Sequence, residues 1–177
     1  MTAWQSSLGA LTIEQATPDE LSLVMEIIDE AAVWLHARGI TEQWPSPMPQ
    51  AFWDKIGMHI AQGNVFIARL SEDQAVGVFR FEWCDAQFWG PDSDSGGYIH
   101  SFAIRPSAHG CGIGAAMIEW AKGYVRAHGR KYMRLDCWGA NKRLCEYYSE
   151  LGFTYRGTVY DDDGPNSLWE IEVCRAS

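Results

Sequence analysis

The segment from His109 to Ala115 has the residue types and spacing that hold an anion. It reads His109-Gly110-Cys111-Gly112-Ile113-Gly114-Ala115 and lies between a strand-like run and an amphipathic run of helical period. Three alternating glycines let the backbone approach a ligand closely, and the first N–H groups of a helix carry the positive end of its dipole. The segment therefore predicts a phosphate or pyrophosphate site, although a tight turn without a ligand has a similar composition.

Three phosphate-binding designs compete for this segment, and their spacings differ. A nucleoside triphosphate loop needs Lys and then Ser or Thr after its last glycine, whereas Gly114 is followed by two alanines. The dinucleotide fingerprint does match Gly110 to Ala115, with Asp136 about 20 residues farther along. However, residues 106–109 separate the turn from its strand, and antiparallel strands precede it, which disfavours a dinucleotide fold. Coenzyme A is the third candidate ligand.

The elements around this segment alternate between strand and helix patterns. Strands are predicted at residues 11–16, 64–70, 74–83, 98–104, 132–137, 153–160 and 167–173. Helices are predicted from a capping box at Thr17 to a stop at Gly39, and at 49–62, 112–128 and 141–151. The short connection at 71–73 predicts an antiparallel pair, and the helix at 112–128 predicts parallel strands on either side of it. The pattern is that of a mixed α/β sheet.

Residues 98–153 resemble the signature region of the GNAT superfamily of N-acetyltransferases. The matching runs are Ile104-Arg105-Pro106, the glycine-rich segment, Arg134-Leu135-Asp136, Asn141, and Tyr147 through Leu151-Gly152-Phe153. The resemblance implies a single domain over residues 1–177 whose mostly antiparallel, twisted central sheet is flanked by helices. It also implies acetyl-CoA as the co-substrate and direct transfer of its acetyl group, in a ternary complex, to a primary amine of a small molecule or peptide.

The resemblance assigns coenzyme binding to backbone groups before side chains. Phe102, Ala103 and Ile104 would offer main-chain groups to the pantetheine arm, as an added strand would pair. The pyrophosphate would lie against His109, Gly110, Cys111, Gly112, Ile113, Gly114 and Ala115. Asn141 matches a residue that contacts the coenzyme, and its position also suits a helix N-cap. His109 departs from the Arg or Gln usual at its position, which leaves most of the holding to backbone N–H groups.

Two side chains are candidates for proton transfer. Tyr148 matches the tyrosine that protonates the departing thiolate, with core packing as the alternative role, whereas Tyr147 is expected in the core. His100 lies two residues before Phe102, where related enzymes often have a carboxylate, and imidazole titrates near neutral pH. His100 is therefore the candidate acceptor of the amine proton; a structural histidine, Glu82 or a water chain are the alternatives.

Composition excludes several classes of partner. A formal net charge of −9 opposes binding to nucleic acid and to anionic lipid. No apolar run approaches the ~20 residues of a membrane span, and the first residues lack a signal-like pattern, so a cytoplasmic location is expected. The five cysteines and five histidines show no ligand spacing, so no metal is predicted. A homodimer is compatible with the sequence.

The sequence says least about the amine that would accept the acetyl group. Acidic loops could attract a cationic amine, and Trp34, Trp44 and Trp53 could offer ring faces to it, although such loops are usually solvated surface. Two other functions stay open. One is a non-catalytic acyl-CoA-binding or regulatory module, and the other is an oxidoreductase that uses a nicotinamide dinucleotide.

Overall fold

The computed structural model describes residues 4–71, 73–91, 95–162 and 164–173. The chain divides into two compact units. The first contains the described residues as far as Phe81 together with Ser101–Trp120, and the second contains Glu82–His100 together with the described residues from Ala121 onward. Strand β5, Gly96–Ile104, and helix α4, Ile113–Ala127, each pass from one unit to the other. That residues 1–177 form one domain stays a prediction.

The first unit is built on consecutive strands. These are β1 (Trp4–Ser6), β2 (Gly9–Gln15), β3 (Val65–Ser71) and β4 (Gln74–Glu82), followed in the sheet by the end of β5. The pairs β1–β2, β2–β3 and β3–β4 are antiparallel. The antiparallel hairpin predicted from the short connection at 71–73 is therefore confirmed.

Helices cover both faces of β3, because successive side chains of a strand point to opposite sides. Val65 and Ile67 belong to the apolar cluster formed with helices α1 (Leu21–His36) and α2 (Gln50–Ala61). Between them, Phe66 points the other way, and its ring centroid lies 5.1 Å from that of Trp120 in α4. This two-sided burial explains why β3 is apolar almost throughout rather than alternating.

The second unit contains the beginning of β5, then β6 (Tyr132–Trp138), β8 (Gly164–Glu172) and β7 (Thr154–Asp161), in that sheet order. Strands β5 and β6 are parallel, as the intervening helix predicts, and β7 and β8 are antiparallel. Helix α5 spans Lys142–Glu150, and a short helix α3 spans Ala86–Trp89. The mixed α/β fold with its flanking helices is confirmed.

Two short elements differ from the sequence prediction. Strand β1 has three residues, too few to show an alternating pattern, and α3 is a single helical turn inside a segment expected to be loop. The capping box at Thr17 is present: the Thr17 N–H donates to the Glu20 carboxylate at 2.8 Å. The first turn after it, Pro18–Glu20, is a 3₁₀ turn, and the α-helix begins at Leu21.

Candidate active site

Strand β5 stops pairing with β6 partway along its length. The parallel register joins Gly96–Ile99 to Tyr132–Leu135. Ser101 then has φ 51°, in the left-handed region that non-glycine residues seldom adopt. A residue in that conformation interrupts the regular strand, so the main chain of the following residues does not continue the same hydrogen-bonding ladder.

At the end of β5, the main-chain N–H and C=O groups point alternately toward β4 and toward the opposite edge of the strand. The Arg105 N–H donates to the Val76 carbonyl at 2.8 Å, and a Cβ built on Gly77 would lie 3.1 Å from the Ala103 carbonyl oxygen. The main-chain N–H and C=O groups of Ala103 therefore face β4. Because N–H and C=O groups alternate along a strand, those of Phe102 and Ile104 face the opposite edge. Of the three strand residues predicted to meet pantetheine, Phe102 and Ile104 have the suitable orientation, and Ala103 does not.

The glycine-rich loop has the conformation that an anion site requires. Gly110 and Gly112 have φ values of +74° and +80°, and no atom lies within 4 Å of a Cβ built on either residue. The first helical bond of α4 runs from the Ala116 N–H to the Gly112 carbonyl at 3.0 Å. The helix itself therefore offers no acceptor to the N–H groups of Ile113, Gly114 and Ala115. Open space above two glycines and N–H groups at a helix start form a cradle for phosphate oxygens.

Contacts from elsewhere in the first unit hold this loop in place. The Cys111 carbonyl accepts from the Ser7 N–H at 3.0 Å and from its hydroxyl at 3.1 Å. The Arg105 guanidinium pairs with Glu26 at 2.7 Å and with Glu30, both in α1, and its Nε–H donates to the Ala75 carbonyl. These bonds fix the backbone on both sides of the loop, so the cradle is preorganised.

His109 bonds to the protein through one edge of its ring. Its Nε2 lies 3.0 Å from the Ile104 carbonyl oxygen, so this nitrogen carries the proton, and its ring meets the Trp34 ring edge-on at 4.7 Å. The side chain thus links α1 to the strand end. Its position supports the expectation that backbone groups, rather than residue 109, do most of the holding.

A cleft of about 910 Å³ lies beside this loop in the first unit. It is lined on the α1 side by acidic residues, by Arg38 and by Trp34, and on other sides by Trp53, Pro106 and Ser107. The Arg38 guanidinium lies 3.7 Å from the centroid of the Trp34 ring. Of the three tryptophans suggested by the sequence, Trp34 and Trp53 line this cleft, whereas Trp44 packs against the core of α1 and α2.

In the second unit, His100 lies between two carboxylates. Its Nε2 is 3.6 Å from Asp85 Oδ2 and its Nδ1 is 3.6 Å from Asp136 Oδ1, and its side chain is 15% exposed. Asp85 is also the N-cap of α3, where its Oδ1 accepts from the Phe88 N–H. The sequence did not predict either carboxylate as a partner of His100, because the three residues come from separate elements.

These three residues are also a donor set that a metal ion could use. Their candidate ligand atoms lie within 4.8 Å of one another. Each ring nitrogen faces a different carboxylate, so one ion could take only one of the two nitrogens. That arrangement suits an imidazole that exchanges a proton between charged partners at least as well as it suits a cation. The absence of a metal stays a prediction.

Tyr148 is buried in an aromatic cluster of the second unit. It is 5% exposed, with ring centroids 5.8 Å from Phe153 and 6.5 Å from Trp169. Burial raises the pKa of its hydroxyl well above 10, and the charges of Cys137 and Asp136 act in the same direction. Tyr147, expected in the core, is the less buried of the two. Tyr148 therefore has both the packing role and the protonated hydroxyl that a general acid needs.

Asn141 has the helix-capping role that its sequence position predicts. Its Oδ1 accepts from the Leu144 N–H at 3.2 Å, and the residue is buried. A contact with coenzyme stays a prediction. The predicted residues thus fall into two sets: the strand end and the glycine-rich loop in the first unit, and His100, Asn141 and Tyr148 in the second.

Comparison with known proteins gives one consistent family. The sequence model of the acetyltransferase (GNAT) family matches residues 25–153. The chain is 26% identical over 163 residues to the uncharacterized N-acetyltransferase YesJ of Bacillus subtilis. The matched region covers 89% of this chain and 88% of that protein. The match extends well beyond the region that the sequence resemblance covered.

Solved structures show the same fold. A GNAT-family acetyltransferase from Listeria monocytogenes superimposes with a TM-score of 0.74 at 20% identity, over 97% of this chain and 98% of that one. The yncA protein of Salmonella typhimurium, solved with acetyl-CoA, gives 0.66 at 16% identity, over 94% and 96%. Within the described ranges, no helix combines the length and the apolar character that a bilayer span needs.

Proposed function

This chain belongs to the acetyltransferase (GNAT) family and is an acyltransferase, and on that premise we propose that it transfers the acetyl group of acetyl-CoA to a primary amine of a small molecule or peptide. The transfer takes place directly, with both substrates bound. The match of the family model supports this activity over the dinucleotide alternative, which shares only the short glycine pattern. The name of the relative YesJ, an N-acetyltransferase, supports nitrogen as the acceptor atom.

The observation that carries the proposal is the loop at Gly110 and Gly112. Its open, left-handed glycines and the N–H groups at the start of α4 fit a diphosphate, which acetyl-CoA contains. When bound, this co-substrate supplies a thioester whose acyl carbon is open to attack by an amine. The main-chain groups of Phe102 and Ile104 hold the pantetheine arm, and an N–H near Phe102 donates to the carbonyl oxygen of the thioester.

His100 accepts the proton that the attacking ammonium group must lose. Asp85 and Asp136 lie on either side of its ring, and both carboxylates stabilise the imidazolium that forms. Tyr148 donates its hydroxyl proton to the departing sulfur. The hydroxyl is protonated at neutral pH, as a proton donor must be, and its burial makes it a weaker acid than a solvent-exposed tyrosine. The two groups thus share the proton transfers that accompany acyl transfer.

The cleft beside the loop supports a cationic acceptor. Glu26, Asp29 and Glu30 line it together with two tryptophans, and Arg38 already places a cation on one of those rings. Aromatic ring faces attract an alkylammonium, and Trp53 also lines the cleft. Arg105 pairs with Glu26 and Glu30, and Arg38 adds a further positive charge, so the remaining attraction comes mainly from Asp29 and the ring faces.

The proposal is tested by incubating the purified protein with acetyl-CoA and a panel of amines. The panel should include diamines, arginine-derived amines, amino acids and short peptides, with an alcohol series as the control for nitrogen specificity. We expect release of the CoA thiol and an acetylated amine, detected by mass spectrometry. Tight coenzyme binding without acetylation of any amine would instead support the non-catalytic module.

A further inference from the structure

Two cysteines of the second unit lie in contact. The Sγ atoms of Cys137 and Cys145 are 3.8 Å apart, a weak thiol hydrogen-bond distance. Cys137 is buried near the end of β6, whereas Cys145 is partly exposed in α5 and also lies 3.9 Å from the Gly139 carbonyl oxygen. This pair could not be predicted from the sequence, because the spacing of the two residues matches no motif of paired cysteines.

The pair has a geometry that a disulfide could reach with a small movement. A disulfide bond is about 2.05 Å long, so the sulfurs must approach by roughly 1.8 Å. Cys145 lies on a helix of nine residues that follows a tight turn, and side-chain rotation together with a slight shift of that helix would supply the approach. The other described cysteines, Cys84 and Cys111, lie in connecting segments elsewhere in the chain.

We propose that Cys137 and Cys145 are a modification site at which a peroxide forms a reversible disulfide, and that this bridge lowers acetyl transfer. The effect on activity rests on the proposed function of Tyr148, whereas formation of the bridge does not. Cytoplasmic disulfides of this kind are typically transient and sensory rather than structural.

Hydrogen peroxide is the oxidant that converts the two thiols to a disulfide. The Cys145 thiolate attacks one peroxide oxygen, the O–O bond breaks, and a sulfenic acid and water are formed. The Cys137 sulfur then attacks that sulfur while its proton passes to the departing hydroxyl group, so the S–O bond breaks, the S–S bond forms and a second water leaves. The two cysteines lose two electrons and two protons in total, and peroxide is reduced to water. Cys145 is the first to react because burial raises the pKa of the Cys137 thiol.

The bridge would act on the helix that carries Tyr148. Cys145 and Tyr148 are three residues apart on α5, so their side chains share a face of the helix. Drawing the Cys145 sulfur toward β6 therefore moves the face that presents the tyrosine hydroxyl. Displacing a reacting group by about 1 Å is enough to slow catalysis strongly.

The test treats the reduced full-length protein with hydrogen peroxide, blocks remaining thiols and maps tryptic peptides. Cleavage after Arg134, Lys142, Arg143 and Arg156 places Cys137 in residues 135–142 and Cys145 in residues 144–156. We expect these two peptides to be linked, and acetyl transfer to fall by about tenfold or more. Dithiothreitol should restore both the free peptides and the activity.

Two variants make the result specific. On peroxide treatment, Cys145→Ser should keep both its activity and the free thiol of Cys137. Each variant is compared with its own reduced form. Cys84→Ser, which changes an exposed cysteine, should respond as the wild type does. Unlinked peptides after oxidation would overturn the site, and a linked protein of unchanged activity would overturn its effect on turnover. If no amine is acetylated even by the reduced protein, the proposed function fails, and the peptide map alone still decides whether the bridge forms.

Discussion

At the level of single residues, Tyr148 combines a packing ring with a buried hydroxyl that is protonated at neutral pH. Replacing it by Phe keeps the ring contacts with Phe153 and Trp169 and removes only the proton donor. We predict that Tyr148→Phe lowers kcat by about 100-fold, with little change in KM or melting temperature. Steady-state kinetics and thermal unfolding measure these quantities. Tyr147→Phe, the matched change at the neighbouring position, should keep kcat within about threefold.

His100 is expected to act through proton transfer rather than through packing. In His100→Asn the acceptor of the ammonium proton is lost, so we predict a kcat about 100-fold lower with coenzyme affinity unchanged. His128→Asn is the matched control, because that exposed ring packs on Trp83 and Tyr124. Equal activity of the two variants would leave His100 with a structural role only.

His100 and Tyr148 could be proposed as catalytic residues from the sequence, but their surroundings could not. Both lie in runs that the pattern identifies, one on a strand and one two residues past the middle of a short helix. Asp85 and Asp136 were not predicted as partners of His100, because 15 and 36 residues separate them from it along the chain and only the folded sheet brings them together. A single sequence carries no signal for such long-range pairs. The contact of Cys137 with Cys145 is nearer along the chain, at eight residues, but that spacing matches no motif of paired cysteines.

At the scale of elements, the loop between β5 and α4 depends on glycines that no other residue replaces easily. Gly112 has φ +80°, so an added Cβ strains the backbone and also fills the space above the loop. We predict that Gly112→Ala weakens acetyl-CoA binding at least about tenfold, since strain of this kind costs on the order of 1–2 kcal/mol. Isothermal titration calorimetry measures the change.

Gly123, in the interior of α4, provides the matched control for that substitution. A Cβ built there meets no atom within 4 Å, and its φ lies outside the left-handed region. Gly123→Ala should leave coenzyme binding unchanged and stabilise the helix by about 0.5–1 kcal/mol. A loss of binding in both variants would show that any alanine in this region is disruptive and that the loop conformation has no special role.

Most elements follow from local patterns. The capping box at Thr17, the turn between β3 and β4 and the parallel direction of β5 and β6 were all predicted, because each depends on nearby residues or on a general rule of handedness. The departure at Ser101 was not predicted, since a serine there carries no sign of a left-handed backbone. Its conformation is set by the surrounding sheet, which the local sequence does not encode.

At the scale of the whole molecule, buried titratable groups set the pH range of stability. Burial, with Arg80 nearby, lowers the pKa of His59 from 6.5 to about 4. As the pH falls below 6.5, His59 therefore becomes protonated in the unfolded chain, whereas in the folded chain it stays neutral until about pH 4. Stability from this residue is complete above pH 6.5 and declines toward pH 4, by roughly 2–3 kcal/mol.

Chemical denaturation between neutral and acid pH measures this effect. We predict that the wild type loses stability over that range and that His59→Gln loses less, because its side chain does not titrate. His128→Gln, which changes an exposed histidine, should follow the wild type. Parallel curves for all three proteins would assign the acid sensitivity to other groups.

The proposed acetyl transfer depends on the main chain between β5 and α4, which we propose binds the diphosphate of coenzyme A. The most direct measurement is calorimetric titration of the wild-type protein with acetyl-CoA and, separately, with NAD. We expect saturable binding of one acetyl-CoA per chain, displaced by free CoA, and no heat of binding from NAD. Saturable binding of NAD with none of acetyl-CoA would contradict it.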